Sequence, residues 1–176
     1  MNPDKVANSF GVIPGMSVAD LGCGAGYFTI IAAKIIGETG KITAVDILED
    51  ALESIRAKAV EQNLTNVETV RADLEKEGSS KLANNSQDVV LLVNVLFQSQ
   101  NKPSIIKEAL RIAKPSGRVV IVDWQKGTGG FGPPDDMRTD SDSMRDLASN
   151  AGLKLLNVID AGVFHYGFVF NKPTGS

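Results

Sequence analysis

Val18-Ala19-Asp20-Leu21-Gly22-Cys23-Gly24-Ala25-Gly26-Tyr27-Phe28 is an apolar run, a three-glycine turn and the start of a second apolar segment. It reads as a buried strand, a sharp turn and a helix. A backbone that turns tightly and passes close to a ligand needs residues without Cβ. Gly22, Gly24 and Gly26 supply three such points. Asp46 closes the next apolar run, Lys41-Ile42-Thr43-Ala44-Val45. An acidic residue there accepts hydrogen bonds from ribose hydroxyls. Together the two features predict an adenosine-bearing cofactor at the carboxyl ends of parallel strands.

Spacing narrows the cofactor. The dinucleotide fingerprint Gly-x-Gly-x-x-Gly uses its third glycine to pack helix on strand. That position is Tyr27 here, too bulky for the task, which argues against a nicotinamide-dependent oxidoreductase. The turn is Gly-x-Gly-x-Gly, with Asp20 two places before the first glycine. This resembles motif I of the class I S-adenosylmethionine-dependent methyltransferases. The resemblance implies S-adenosylmethionine as cofactor. It implies that Asp20 helps hold the loop and the methionine amino group. It also implies that Gly22, Cys23, Gly24, Gly26 and Tyr27 form the loop beside the cofactor. Cys23 itself reads as a small packing residue rather than a nucleophile. The competing reading is a tight turn that binds nothing, and Asp20 and Asp46 in register weigh against it.

The chain has 176 residues and a formal net charge of −3, within the range of one domain. Residues 1–176 are expected to form a single methyltransferase domain. No apolar run approaches the roughly 20 residues of a membrane span. The segment Met1-Asn2-Pro3-Asp4-Lys5 lacks signal-peptide character, so a cytoplasmic protein is expected. Cys23 is the single cysteine, which excludes an intrachain disulfide and a multi-cysteine metal site. No metal is expected. Lys and Arg are scattered rather than striped, which argues against a nucleic-acid partner.

Apolar runs alternate with amphipathic segments, the pattern of βα units around a parallel sheet. Strands are expected at 17–21, 41–46, 67–71, 88–93, 118–123, 153–159 and 163–171. Helices are expected at 4–10, after the glycine loop to about Ile36, and at 49–63, 103–113 and 141–151. Residues 75–86 and 125–136 read as loops, and Lys114-Pro115-Ser116-Gly117 as a turn. The short Asp160-Ala161-Gly162 connection makes the last two strands antiparallel. The resemblance implies an α/β, Rossmann-like, doubly wound sheet of seven strands, ordered 3-2-1-4-5-7-6, with strand seven antiparallel. Among subfamilies the chain looks most like the small ubiquinone/menaquinone-biosynthesis-type and "type 11" methyltransferases.

Further residues follow from the same resemblance. Asp73, after strand three, is placed to accept from the adenine amino group, or else to cap a turn. Leu74 and Ile47 are placed to cover the two adenine faces. Asn94, after strand four, binds the cofactor or orients a substrate group, or else caps the strand. Phe97 and Gln98 face the cleft mouth, unless Phe97 is core.

Methyl transfer from a sulfonium is an in-line displacement in which positioning dominates. A protonated acceptor needs a base nearby. Asp123, at the carboxyl end of strand five, and His165, the sole histidine, are the candidates, His165 competing with a structural role. Trp124 reads as a wall for an apolar or cationic group, or as core. The 125–138 loop reads as a substrate-facing lid carrying Phe131. Arg138 reads as a clamp on a carboxylate or phosphate, or as a solvated partner of Asp135 or Asp140. The expected acceptor is a small molecule. The alternatives are a protein or RNA acceptor, and a non-catalytic S-adenosylmethionine-binding module.

Overall fold

The computed structural model describes residues 1–175. Strands β1 (Ser17–Leu21), β2 (Lys41–Asp46), β3 (Val67–Arg71), β4 (Gln87–Val93), β5 (Ala113–Trp124), β6 (Lys154–Ile159) and β7 (His165–Asn171) form one sheet. The order is β3-β2-β1-β4-β5-β7-β6. β1 to β5 pair in parallel, and β7 runs antiparallel to both β5 and β6. Helices α1 (Pro3–Ala7), α2 (Tyr27–Ile36), α3 (Glu49–Glu61), α4 (Lys102–Ile112) and α5 (Ser141–Asn150) complete the fold.

Two apolar layers hold the sheet. Val90, Leu92, Val119 and Ile121 face Ile105, Ile106 and Ala109 of α4 and Met144 of α5. Val89, Leu91, Val120 and Val122 face the other way, with Phe10, Ala33 and Ile36. Every residue from Val89 to Leu92 is fully buried. That explains why β4 reads as a continuous apolar run: a central strand is covered on both faces.

Four expectations are corrected. The first helix is confined to Pro3–Ala7, capped by the Asn2 side chain accepting from Lys5 N–H. α3 stops at Glu61, because Asn63 turns left-handed at φ 54°. The last strand begins at His165. β5 begins at Ala113, so the expected turn at 114–117 is part of it. Ser116 N–H donates to Lys172 O, and Lys172 N–H donates to Gly117 O, both at 2.9 Å. These two bonds ladder the Pro-Ser-Gly segment onto the chain leaving β7.

The carboxyl ends of β1, β2, β3 and β4 come together at one edge of the sheet. Ligands bind at that edge in open α/β sheets.

Candidate active site

The glycine loop is fastened to the tip of β2. Gly22 N–H and Cys23 N–H both donate to Val45 O, at 2.7 and 3.1 Å. Gly24 N–H donates to Asp46 Oδ2 at 2.9 Å, and Leu48 N–H donates to Asp46 Oδ1 at 3.0 Å. One carboxylate thus fixes the loop before α2 and the loop before α3. Each oxygen keeps acceptor capacity for a ligand.

The three glycines are required for different reasons. All three sit at positive φ, 75°, 49° and 78° in order. A Cβ on Gly22 would run into Val95, and one on Gly26 would run into Ile55. A Cβ on Gly24 would meet nothing within 4 Å. Gly22 and Gly26 therefore serve protein packing, and Gly24 alone borders open space on its Cβ side.

That space is a cleft of about 680 Å³, in the size range of small-ligand sites. Gly22, Gly24, Asp46, Ile47, Asp73, Leu74 and Asn94 all line it. Asp20, Cys23, Gly26 and Tyr27 do not. Asp20 is buried beneath the loop and accepts from Thr29 Oγ1 at 2.6 Å, tying β1 to α2. Burial, with Asp46 nearby, raises its pKa to about 6. Cys23 is half-buried, and burial with Asp20 and Asp46 nearby pushes its thiol up, the signature of an inert cysteine. Tyr27 is exposed, with Lys58 Nζ 5.1 Å from its ring centre.

Glu75, Val95, Ser99 and Ile105 also line the cleft, and the sequence reading missed them. Glu75 Oε1 accepts from Ser99 Oγ at 2.6 Å and Gln100 N–H at 2.9 Å. These bonds hold its carboxyl below the usual range and link the segment after β3 to the one before α4. The polar run Gln98-Ser99-Gln100-Asn101 was the available signal. Asn94 is left-handed at φ 54°, and its Oδ1 is buried without a partner. Strained backbone of this kind gathers at functional sites. The open flank of Gly24, the Asp46 carboxylate and the orphan Asn94 oxygen suit a nucleoside bearing a polar tail.

The substrate-side assignments change more. Arg138 is 5% exposed. Its Nε donates to Pro133 O, its Nη1 to Gln125 O and Thr128 Oγ1, and its Nη2 to Gly129 O and Phe131 O. All five N–H donors are thereby spent inside its own loop. Neither the substrate clamp nor the solvated ion pair describes it: Arg138 is the hub that folds the loop. Trp124 lies under that loop, with the guanidinium 5.6 Å from its ring, Phe131 at 5.9 Å and His165 at 4.1 Å. Phe131 remains largely exposed at the loop tip.

Asp123 is also committed. It is 1% exposed, and accepts from Phe97 N–H at 3.0 Å and Trp124 N–H at 2.8 Å. Burial raises its pKa to about 6, against those bonds. It anchors the 3-10 turn Leu96–Gln98, which carries Gln98 to the cleft, and it does not line the cleft itself. His165 is buried with both ring nitrogens unpartnered. Burial, with the N-terminal amine and Arg138 nearby, lowers its pKa to about 4. It is neutral at pH 7 and a weak proton acceptor. Among the described residues no cluster of His, Cys, Asp and Glu suits a metal ion. No described helix is long and apolar enough to cross a membrane.

Open α/β sheets bind ligands in the crevice beyond their strand ends, and this cleft lies there. The sequence profile described as "Methyltransferase domain" matches residues 13–155. A ubiquinone/menaquinone biosynthesis C-methyltransferase of Shewanella pealeana is 33% identical over 119 residues, covering 67% of this chain and 46% of that protein. An arsenite methyltransferase of Halobacterium salinarum is 30% identical over 138 residues, covering 78% of this chain and 34% of that protein. A crystal structure of a SAM-dependent methyltransferase from Aquifex aeolicus superposes with a TM-score of 0.87 at 27% identity, covering 97% of this chain and 89% of that one. The chain belongs to the class I S-adenosylmethionine-dependent methyltransferase family. It spans less than half the length of the two curated relatives named here.

Proposed function

We propose that residues 1–176 act as one catalytic unit that moves the methyl group of S-adenosylmethionine to a small organic acceptor. The observation that carries this reading is the cleft that Gly24 and Asp46 both line at the carboxyl edge of the sheet. In this reading Asp46 accepts from the ribose hydroxyls and Asp73 from the adenine amino group. Leu74 and Ile47 cover the adenine faces, and Gly24 lets the backbone approach. Asn94 Oδ1 receives a donor from the amino-acid end. Asp20 acts from beneath, through Thr29 and the loop.

Bound S-adenosylmethionine supplies an activated methyl group whose carbon–sulfur electron pair returns to sulfur as the acceptor bonds the carbon. The chain's own part is orientation and exclusion of water. Asp123 is buried away from the cleft, and His165 is a weak base. The acceptor must therefore offer its nucleophile near neutral pH, as an acidic hydroxylated aromatic or other carbon or oxygen acid does. This agrees with the ubiquinone/menaquinone relative. Arsenite fits less well. A soft, thiophilic centre favours thiolates, and this chain offers only the half-buried Cys23, whose thiol is held protonated.

Methyl-labelled S-adenosylmethionine, incubated with the protein and with small-molecule, protein and RNA fractions, tests the reading. Label in a small organic product is expected. Label in protein or RNA would move the acceptor to the macromolecular alternative. Tight S-adenosylhomocysteine binding with no transfer to any fraction would make the chain a binding module.

A further inference from the structure

The cleft has two walls, and they come from different parts of the chain. Asp46, Ile47, Asp73 and Leu74 follow the ends of β2 and β3. Asn94, Val95, Gln98 and Ser99 belong to the connector between β4 and α4. In the proposed function the first wall holds the nucleoside, and the connector meets the amino-acid end of the cofactor.

Each wall is fastened on its own side. Gly24 N–H donates to Asp46 Oδ2 and Ala72 N–H to Asp46 O, both at 2.9 Å. Glu75 N–H donates to Asp73 Oδ1 at 3.1 Å, closing the turn after β3. The connector is tied to β5 instead. Asn94 N–H donates to Val122 O at 2.8 Å, and Phe97 N–H to Asp123 Oδ2 at 3.0 Å. Among the described residues, the hydrogen bonds that run from the first wall to the connector all end on one group, the Glu75 carboxylate. Its Oε1 accepts from Ser99 Oγ at 2.6 Å, Gln100 N–H at 2.9 Å and Asn101 N–H at 3.3 Å. Ser99 is buried and lines the cleft with Glu75, so their bond is a piece of the wall. Ser99 is itself fixed, its N–H donating to Leu96 O and its Oγ accepting from Asn101 N–H.

Supporting bonds of this kind preorganise a site. A ligand that touches both walls gains from both at once only if the walls keep their separation. Given the cofactor reading, on which the inference rests, we propose that Glu75 is a positioning residue. Through Ser99, Gln100 and Asn101 it sets the distance between the nucleoside wall and the connector, so that the two halves of S-adenosylmethionine are held together. Glu75 is assigned no bond to the ligand. Adenosine, confined to the first wall, does not sense the clasp. S-adenosylhomocysteine, which spans both walls, does.

Calorimetry with S-adenosylhomocysteine and a nuclear magnetic resonance titration with adenosine, both on the full chain, read the two cases separately. Glu75→Ala should lower S-adenosylhomocysteine affinity about tenfold or more, the scale of a lost hydrogen bond to a charged group. Adenosine should bind the parent and Glu75→Ala alike. Ser99→Ala leaves two N–H donors on Glu75 and should cost less than Glu75→Ala. Glu75→Gln keeps an acceptor oxygen and should recover most of the loss. Equal S-adenosylhomocysteine affinity in the parent and in Glu75→Ala overturns the proposal alone. Equal losses for both ligands overturn it too, because they mark damage to the nucleoside wall or to the fold. So does a Glu75→Gln protein as weak as Glu75→Ala. A parent that binds no S-adenosylhomocysteine removes the cofactor reading itself, and the clasp with it.

Discussion

Gly24 N–H donates to Asp46 Oδ2 at 2.9 Å, so the residue expected to meet the ribose also shapes the loop expected to meet the rest of the cofactor. Asp46→Ala removes an acceptor from Gly24 and Leu48 together. Losing a hydrogen bond to a charged group costs roughly 1.5–3 kcal/mol. S-adenosylhomocysteine affinity should fall about ten- to a hundredfold by calorimetry, with a modest fall in melting temperature. A folded Asp46→Ala protein with unchanged affinity removes Asp46 from the site.

The unequal roles of the glycines predict unequal failures. Gly24→Val adds a side chain to open space bordering the cleft. It should abolish S-adenosylhomocysteine binding while the protein stays folded. Its positive φ costs about 1–2 kcal/mol. Gly26→Ala carries a similar conformational cost and also meets Ile55. It should lower the melting temperature more than Gly24→Val, although alanine is the smaller residue. Equal melting temperatures would mean that Ile55 yields freely.

These contrasts mark what the sequence made legible. The strand order and the cleft residues Asp46, Asp73, Leu74 and Asn94 followed from motifs at fixed places on consecutive βα units. Each such motif sits where a parallel strand ends, so chain position fixes spatial position. Arg138 and Asp123 were misread because their partners are backbone groups. Carbonyls and N–H groups exist at every residue, so no side-chain pattern announces them. Ser116 hid in the same way: its ladder to Lys172 joins segments far apart in the chain.

Arg138 yields a prediction from its new role. Arg138→Ala takes a donor from five loop acceptors, of which Gln125 O keeps Thr128 Oγ1 and Gly129 O keeps Phe131 N–H, and opens a cavity over the Trp124 ring. The 125–137 segment should become cleavable by limited proteolysis, with S-adenosylhomocysteine affinity retained. Arg138→Lys should not rescue it, because an ammonium offers three donors from one point in place of a planar fork. A proteolysis pattern identical to the parent would show that the loop holds without its hub.

His165 gives a pH prediction with a clean readout, since it is the sole histidine. Its imidazole Hε1 signal should titrate near pH 4 by nuclear magnetic resonance, well below the usual 6.5. The folded value is depressed, so the unfolded chain binds this proton more readily. The contribution of the buried neutral ring is therefore present above about pH 6.5 and is lost as pH falls toward 4. Asp20 and Asp123, raised to about 6, act in the opposite sense over the same window. Replacing His165 with Gln removes the histidine contribution and leaves the carboxylates. The variant's stability should then fall more steeply than the parent's as pH rises from 4 to 6. An Hε1 midpoint near 6.5 would place the ring in water and remove its buried, neutral assignment.

Ser116 offers a gain rather than a loss. It holds φ 63° within β5, a conformation that costs an L-residue about 1–2 kcal/mol and glycine almost nothing. Glycine loses more chain entropy on folding, which offsets roughly 0.5–1 kcal/mol of that gain. The backbone bond from Ser116 N–H to Lys172 O survives the change. Ser116→Gly should therefore stabilise the protein by about 0.5–1 kcal/mol in a denaturant titration, with an unchanged slope. Ser116→Ala keeps the strain and should show no such gain. If both variants match the parent, the turn relaxes out of the left-handed region at no cost, and the ladder to Lys172 does not enforce it.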